Sequence, residues 1–265
     1  MKIVAIIQAR MRSTRLPGKV LLDIAGQPML VHVFERTRLA KTINQVVVAT
    51  TDDPSDDAIE ALCQERGYPY YRGSLYDVLD RYYQAACLFA ADVIVRITAD
   101  CPLIDPEVID KTVFGFLGNG IYDFAANRLP PPWGRTYPIG LDTEVCSFAA
   151  LELAWREAWQ PHQREHVMPF FYDQPERFRI LHVNHSRDYG RLRWTVDTPE
   201  DLKLVRQIFA RFPDREDFSW LEVLELFEKE PDLALINAQI NAKDYRQVDV
   251  RGEVGEQGKN AKDRS

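Results

Sequence analysis

Two kinds of apolar pattern alternate along the chain. Ile3 to Ile7, Val46 to Thr51 and Asp92 to Thr98 contain uninterrupted apolar runs rich in β-branched residues, the pattern of strands buried on both faces of a parallel sheet. Between them, Met29, Leu30, Val33, Phe34 and Leu39 recur at helical spacing, and Pro28 suits the first position of a helix running to about Ala40. Ser55 to Arg66 is amphipathic, Tyr68 to Arg72 reads as a short strand, Val78 to Ala91 as a helix, and a further helix starts near Pro106. Ile121 to Ala126 predicts another strand. Phe148 to Trp159 and a segment opened by Pro161 predict helices, Arg179 to Asn184 and Arg191 to Val196 two strands, and Leu202 to Phe212 and Trp220 to Glu228 closing helices. Strands alternating with helices predict one α/β domain over residues 1–246, built on a mixed, mostly parallel sheet flanked by helices. From Gln247 the apolar periodicity is lost, and 247–265 is expected to be a disordered tail.

The stretch between the first strand and the first helix stands apart. Arg10, Arg12, Arg15 and Lys19 fall within ten positions, Ser13 and Thr14 lie among them, and Pro17-Gly18 imposes a turn. In an open α/β sheet ligands sit at the carboxyl ends of strands, so this loop is either a cradle for a polyanion such as a triphosphate or a solvated basic face. It is neither a Walker loop nor a GxGxxG turn. Asp100 and Asp197 repeat one arrangement: an acid at a predicted strand end ahead of a helix opened by Pro106 or Pro199, with Thr198 as a natural cap for the second. One or two such carboxylates are what a magnesium ion on a triphosphate takes from protein. Asp52-Asp53 either caps the next helix or shapes the pocket, and Ser74 and Asp77, on their chemistry alone, are capping residues.

Residues 127–142 hold Pro130-Pro131-Pro132, Gly134, Pro138 and Gly140, too many breakers for helix or central strand, which makes this a long ordered loop. Arg135 within it suits bidentate binding of a carboxylate or phosphate. Asp142 and Glu144 would share one face of a strand and either bind acceptor hydroxyls or balance Arg135.

Composition narrows the classes. The 265 residues are 46% hydrophobic and 28% charged, ordinary for a globular protein, and the net charge of -7 argues against a nucleic-acid or membrane-surface role. No run approaches a bilayer span, and the short apolar start ends at Gln8 and Arg10, so a cytoplasmic protein is expected. Four cysteines show no CxxC spacing; Cys101, the one near a motif, reads as a packing residue.

Ala9-Arg10-Met11-Arg12-Ser13-Thr14-Arg15-Leu16-Pro17-Gly18-Lys19 resembles the opening signature of the cytidylyltransferases that make CMP-activated acidic sugars (CMP-Kdo and CMP-sialate synthetases), in particular the spore-coat polysaccharide biosynthesis branch. The likeness continues through Arg72-Gly73-Ser74, Asp77-Val78-Leu79, Arg96 to Ile104, Arg135 to Glu144, Arg164-Glu165-His166 and Trp194 to Asp201, over roughly residues 1–245. The resemblance implies a GT-A-like, Rossmann-related nucleotidyltransferase. Its reaction would move CMP from CTP to an acidic sugar or related acceptor, with Mg²⁺ and release of pyrophosphate. By the same resemblance Arg15, Lys19 and Asp100 are catalytic; Ala9, Arg10, Ser13, Arg72, Ser74 and Asp77 bind nucleotide; and Asp100 and Asp197 hold the metal. Arg135, Asp142, Glu144, Arg164 and Glu165 face the acceptor, and the protein is a homodimer, with 160–190 as the candidate interface. Two other readings stand beside it: a glycosyltransferase of the same fold, which lacks a clear DxD motif here, and a non-catalytic nucleotide-binding module.

Overall fold

The computed structural model describes residues 1–118, 120–240, 246 and 248. Seven strands form the central sheet: β1 (Ile3–Gln8), β2 (Gln45–Thr51), β3 (Tyr70–Gly73), β4 (Val93–Thr98), β5 (Phe124–Ala126), β6 (Glu144–Ser147) and β7 (Ile180–His182). Their order is β7-β5-β6-β4-β1-β2-β3. All neighbours are parallel except at β6, which runs against both β4 and β5. The sheet is therefore mixed and mostly parallel. The reversal has a consequence for the site: β6 begins at the edge where the other strands end, so the loop leading into it lies across that edge.

β1 shows why an unbroken apolar run forms this strand. Ile3, Ala5 and Ile7 enter one core with Leu30, Val33, Ile59 and Ile109, while Val4 and Ile6 enter the opposite core with Leu79, Tyr82 and Leu151. Alternate side chains point to opposite faces, and both faces are covered. Helices α1 (Met29–Arg38), α2 (Asp57–Arg66) and α4 (Pro106–Leu117) supply the first core; α3 (Val78–Leu88) and α5 (Phe148–Glu157) supply the second. Short helices α6 (Pro161–His166) and α7 (Pro169–Tyr172) continue the second layer. Val167, Met168, Phe170 and Phe171, within the segment expected to form a dimer interface, are buried in it.

A third core gathers Trp194 and Val196 with α8 (Pro199–Phe209) and α9 (Trp220–Lys229). Arg191 to Val196 was expected to be a strand, and here the structure differs. The segment joins no ladder of the sheet and makes one isolated bridge, Ile139 to Arg193. Its apolar alternation serves the third core instead. Trp194 N–H donates to Ile139 O at 2.7 Å and Val196 N–H to Asp100 O at 2.8 Å, which brings the segment against the end of β4. The residues expected to form the tail lie, apart from Val248, outside the described residues.

Candidate active site

A cleft with an accessible volume of about 580 Å³ runs along the carboxyl edge of the sheet, from the loop after β1 to the loop before β6. Eight of its lining residues are Lys or Arg and five are Asp or Glu, so the cleft is cationic in a chain of net charge -7.

The basic loop is fixed at both ends. Asp56, fully buried, accepts from Met11 N–H at 2.7 Å and from the Thr51 hydroxyl at 2.5 Å, tying the loop's start to the end of β2. Asp53 caps the turn after β2 by accepting from Ser55 N–H at 2.9 Å and also binds Arg12 at 2.9 Å. At the other end Gly18 takes φ 70°, a left-handed conformation that glycine adopts without penalty, and opens the short helical turn Lys19–Leu21. That turn sends the Lys19 side chain into the cleft.

Lys19 Nζ makes three bonds of 2.8 Å, to Asp100 Oδ2, to Asp197 Oδ1 and to the Val196 carbonyl. One ammonium thus joins the end of β4 to the segment entering α8. Burial pulls the Lys19 pKa down, but the two carboxylates outweigh it and hold the ammonium above its ordinary value. Burial likewise pushes Asp100 up, and the Lys19 charge outweighs that, leaving its carboxyl below the usual carboxylate range. Asp197 also accepts from Arg15 at 2.9 Å and from Arg193 at 2.7 Å. Arg193 is held in turn by Asp201, fully buried, through Nε at 2.9 Å and Nη2 at 3.0 Å. Asp201 shares a capping box with Thr198 and accepts from Asn237 at 2.8 Å.

At the β5–β6 end, Arg135 donates twice to Asp142, at 2.6 and 3.1 Å. Arg96 pairs with Glu144 and reaches Gln8 at 3.1 Å. Gly140 (φ 110°) allows the loop to lie against the 194–197 segment, because a Cβ there would sit 2.7 Å from Thr195 N. Cys101 is buried and its thiol is pushed well up by that burial, which suits packing and not nucleophilic attack.

Of the residues singled out from the sequence, Arg10, Ser13, Arg15, Lys19, Asp100, Arg135, Asp142, Glu144, Glu165 and Asp197 line this cleft together. Ala9 is buried beneath it, its N–H bonded to Ala49 O at 3.1 Å. Arg72, Ser74, Asp77 and Arg164 are not among the lining residues. Arg72 binds Asp57 at 2.8 Å, Glu60 and the Thr51 carbonyl at the β3 edge. Ser74 accepts from Asp77 N–H at 3.0 Å, and Asp77 caps α3 and is clasped by Arg164. Arg96, Arg128 and Arg193 line the cleft and were not selected from the sequence, nor were the buried anchors Asp56 and Asp201. The signal available for Arg128 was position: it follows the apolar strand ending at Ala126, on the edge where ligands bind.

Among the described residues no group of three or more His, Cys, Asp or Glu forms a metal cage. Asp100 and Asp197 nevertheless offer oxygens to a single point, since one nitrogen lies 2.8 Å from each. Two hard donors, with the remaining positions left to phosphate and water, fit Mg²⁺ better than a transition metal.

Comparison with known proteins accords with this geometry. The family model described as Cytidylyltransferase matches residues 4–241. The spore coat polysaccharide biosynthesis protein SpsF of Bacillus subtilis is 31% identical over 240 residues, covering 88% of this chain and 96% of that one. A 3-deoxy-manno-octulosonate cytidylyltransferase of Geobacter sulfurreducens is 41% identical over 116 residues, covering 43% of this chain and 44% of that one. The solved structure of a cytidylyltransferase from Leptospira borgpetersenii superposes with a TM-score of 0.84 at 35% identity, covering 92% of this chain and all of that one. The chain belongs to the cytidylyltransferase family.

Proposed function

We propose that the protein transfers CMP from CTP to the hydroxyl of an acidic sugar or related acceptor, releasing pyrophosphate, with Mg²⁺ as cofactor. The observation that carries this is the Lys19 ammonium held between Asp100 and Asp197 at the sheet edge, with Arg15 on the same carboxylate. A triphosphate entering the cleft exchanges these internal pairs for its own oxygens. Arg10, Arg15 and Lys19 then contact the phosphates, and the charge that grows on the departing pyrophosphate meets cations already in position. The acceptor oxygen bonds to the α-phosphorus, the bond to the bridging oxygen of pyrophosphate breaks, and the hydroxyl proton leaves. Asp100 and Asp197 would hold Mg²⁺, which supplies charge neutralisation on the phosphates. Membership of the cytidylyltransferase family supports this reading over a glycosyltransferase or a non-catalytic nucleotide-binding module.

The test is pyrophosphate release with each of the four nucleoside triphosphates, Mg²⁺ and a panel of acidic, neutral and phosphorylated sugars, repeated with Lys19→Ala and Asp100→Asn. CTP-dependent release that needs one acceptor and is lost in both variants supports the assignment. Release with another nucleotide, or with no acceptor dependence, overturns it.

A further inference from the structure

Every arginine that the sequence offers as a receptor for an acidic acceptor already has a carboxylate of its own. Arg135 is engaged bidentately by Asp142, and Arg164 is clasped by Asp77 and donates to Trp155 O at 2.7 Å, away from the cleft lining. Arg96 is paired with Glu144. Arg128 is different. It leaves β5 through Asn127, a buried side chain that donates to Leu141 O at 2.7 Å and accepts from Thr143 N–H at 2.8 Å, so its backbone is fixed to both strands of the loop. Its side chain lines the cleft beside Asp142, Tyr172 and Glu144. Yet its guanidinium makes no hydrogen bond or ion pair with any described residue.

We propose that Arg128 is the acceptor's anion receptor, and that the anion is a single carboxylate. Charge balance points to this receptor, given the cytidylyl-transfer reading on which it rests. At this end of the cleft Arg96 and Glu144 cancel, Arg135 and Asp142 cancel, Glu165 lies 4.0 Å from Arg10, and Arg128 leaves one positive charge. A neutral sugar would leave a largely enclosed guanidinium without a partner, which is costly. A phosphomonoester, close to doubly charged, would exceed what the site balances. A carboxylate matches both the charge and the planar fork. β6 alone separates β5 from β4, so two strand spacings, about 10 Å, lie between Arg128 and the Lys19–Asp100 end. That leaves room for a sugar spanning from its carboxylate to the hydroxyl that attacks phosphorus.

Binding separates this inference from the reading beneath it. Calorimetry would be run with 3-deoxy-manno-octulosonate, N-acetylneuraminate, their methyl esters and a hexose phosphate. Each titration would use protein preloaded with a CTP analogue bearing a methylene bridge between its α- and β-phosphates. At least one free acid should bind about tenfold or more tightly than its ester, and Arg128→Gln should erase that difference. Arg128→Lys should restore part of it, and both variants should bind the CTP analogue and melt as the wild type does. The inference is overturned if Arg128→Gln binds the acid as the wild type does, if neither acid binds the wild type, or if the hexose phosphate binds best. Loss of CTP-analogue binding by the wild type would instead overturn the cytidylyl-transfer reading.

Discussion

The two ends of the cleft handle enclosed charge in different ways. At the β1–β4 end the ions form a closed lattice: Lys19 lies between Asp100 and Asp197, Asp197 also meets Arg15 and Arg193, and Arg193 is locked by Asp201. At the β5–β6 end the pairs are separate, Arg96 with Glu144 and Arg135 with Asp142, and Arg128 faces the cleft outside either pair. A lattice of that kind fixes geometry before any ligand arrives, and preorganised charge is what a phosphoryl transfer requires. Separate pairs leave an end that can be altered one residue at a time. The difference teaches where to look for constancy of chemistry and where for choice of acceptor.

Breaking the lattice at its centre has the largest expected effect. Lys19→Met keeps the stem and removes the charge, leaving Asp100 and Asp197 facing each other. CTP-dependent pyrophosphate release should fall by about a thousandfold, the upper part of the range for loss of one preorganised transition-state contact. Next comes Asp201→Asn, which touches no ligand in the proposed mechanism. Asp201 is fully buried and answers Arg193, so the variant leaves a nearly buried guanidinium with Asp197 alone among the described carboxylates. A loss of about 3 kcal/mol in a denaturant titration is expected, together with reduced activity as Asp197 loses its support. A smaller effect follows from Gly140→Ala, which tests the joint between the two ends. With φ at 110° and a Cβ 2.7 Å from Thr195 N, alanine should cost about 1–3 kcal/mol and shift the 194–197 segment. Unchanged stability would mean that the loop does not lean on that segment.

The lattice also has a pH signature. The Asp100 pKa is lowered from 3.8 to about 2. Its pairing with Lys19 therefore contributes stability above pH 3.8 that is lost as the pH falls toward 2. The Lys19 pKa is raised above 10.5, so its contribution is complete below that value and is lost only as the pH rises through the folded-state pKa. The melting-temperature gap between wild type and Asp100→Asn, whose amide does not titrate, should accordingly be level from pH 5 to 9 and close between pH 3.8 and about 2. A gap that closed near pH 6 would point to another titrating group.

How much of this was legible from the sequence follows from what each signal encodes. Strands buried on both faces announce themselves through unbroken runs such as Ile3 to Ile7, and the mostly parallel part of the sheet could be read from them. The basic loop and the acids Asp100 and Asp197 were visible because strand ends are where ligands bind. Direction was not visible: four residues of β6 look alike whichever way they run. Nor was the role of Trp194 and Val196, whose alternation fits a strand but serves a core between helices. Pairings between distant positions, such as Arg164 with Asp77 or Lys19 with both Asp100 and Asp197, depend on the folded chain, and spacing carries little of them.

Arg72 gives the smallest expected effect and the sharpest edge to the comparison. It sits in the Arg72-Gly73-Ser74 motif, whose likeness to the cytidylyltransferases made it a nucleotide-binding candidate. In the structure it is not among the cleft-lining residues, and its guanidinium is shared among Asp57, Glu60 and the carbonyls of Thr51 and Asp53. The first two partners are on α2, Thr51 ends β2 and Asp53 follows it, so Arg72 braces the turn that carries Asp53 and Asp56. Asp56 holds Met11 through its own bond and Thr51 through two others, none of which uses Arg72. The basic loop should therefore keep its anchor in Arg72→Ala, and kcat/KM for CTP should stay within about threefold of wild type. A rise in KM for CTP of tenfold or more, with unchanged melting, would show that Arg72 turns into the cleft when nucleotide binds. The lattice would then extend two strands beyond the β1–β4 end, from β1 across β2 to β3.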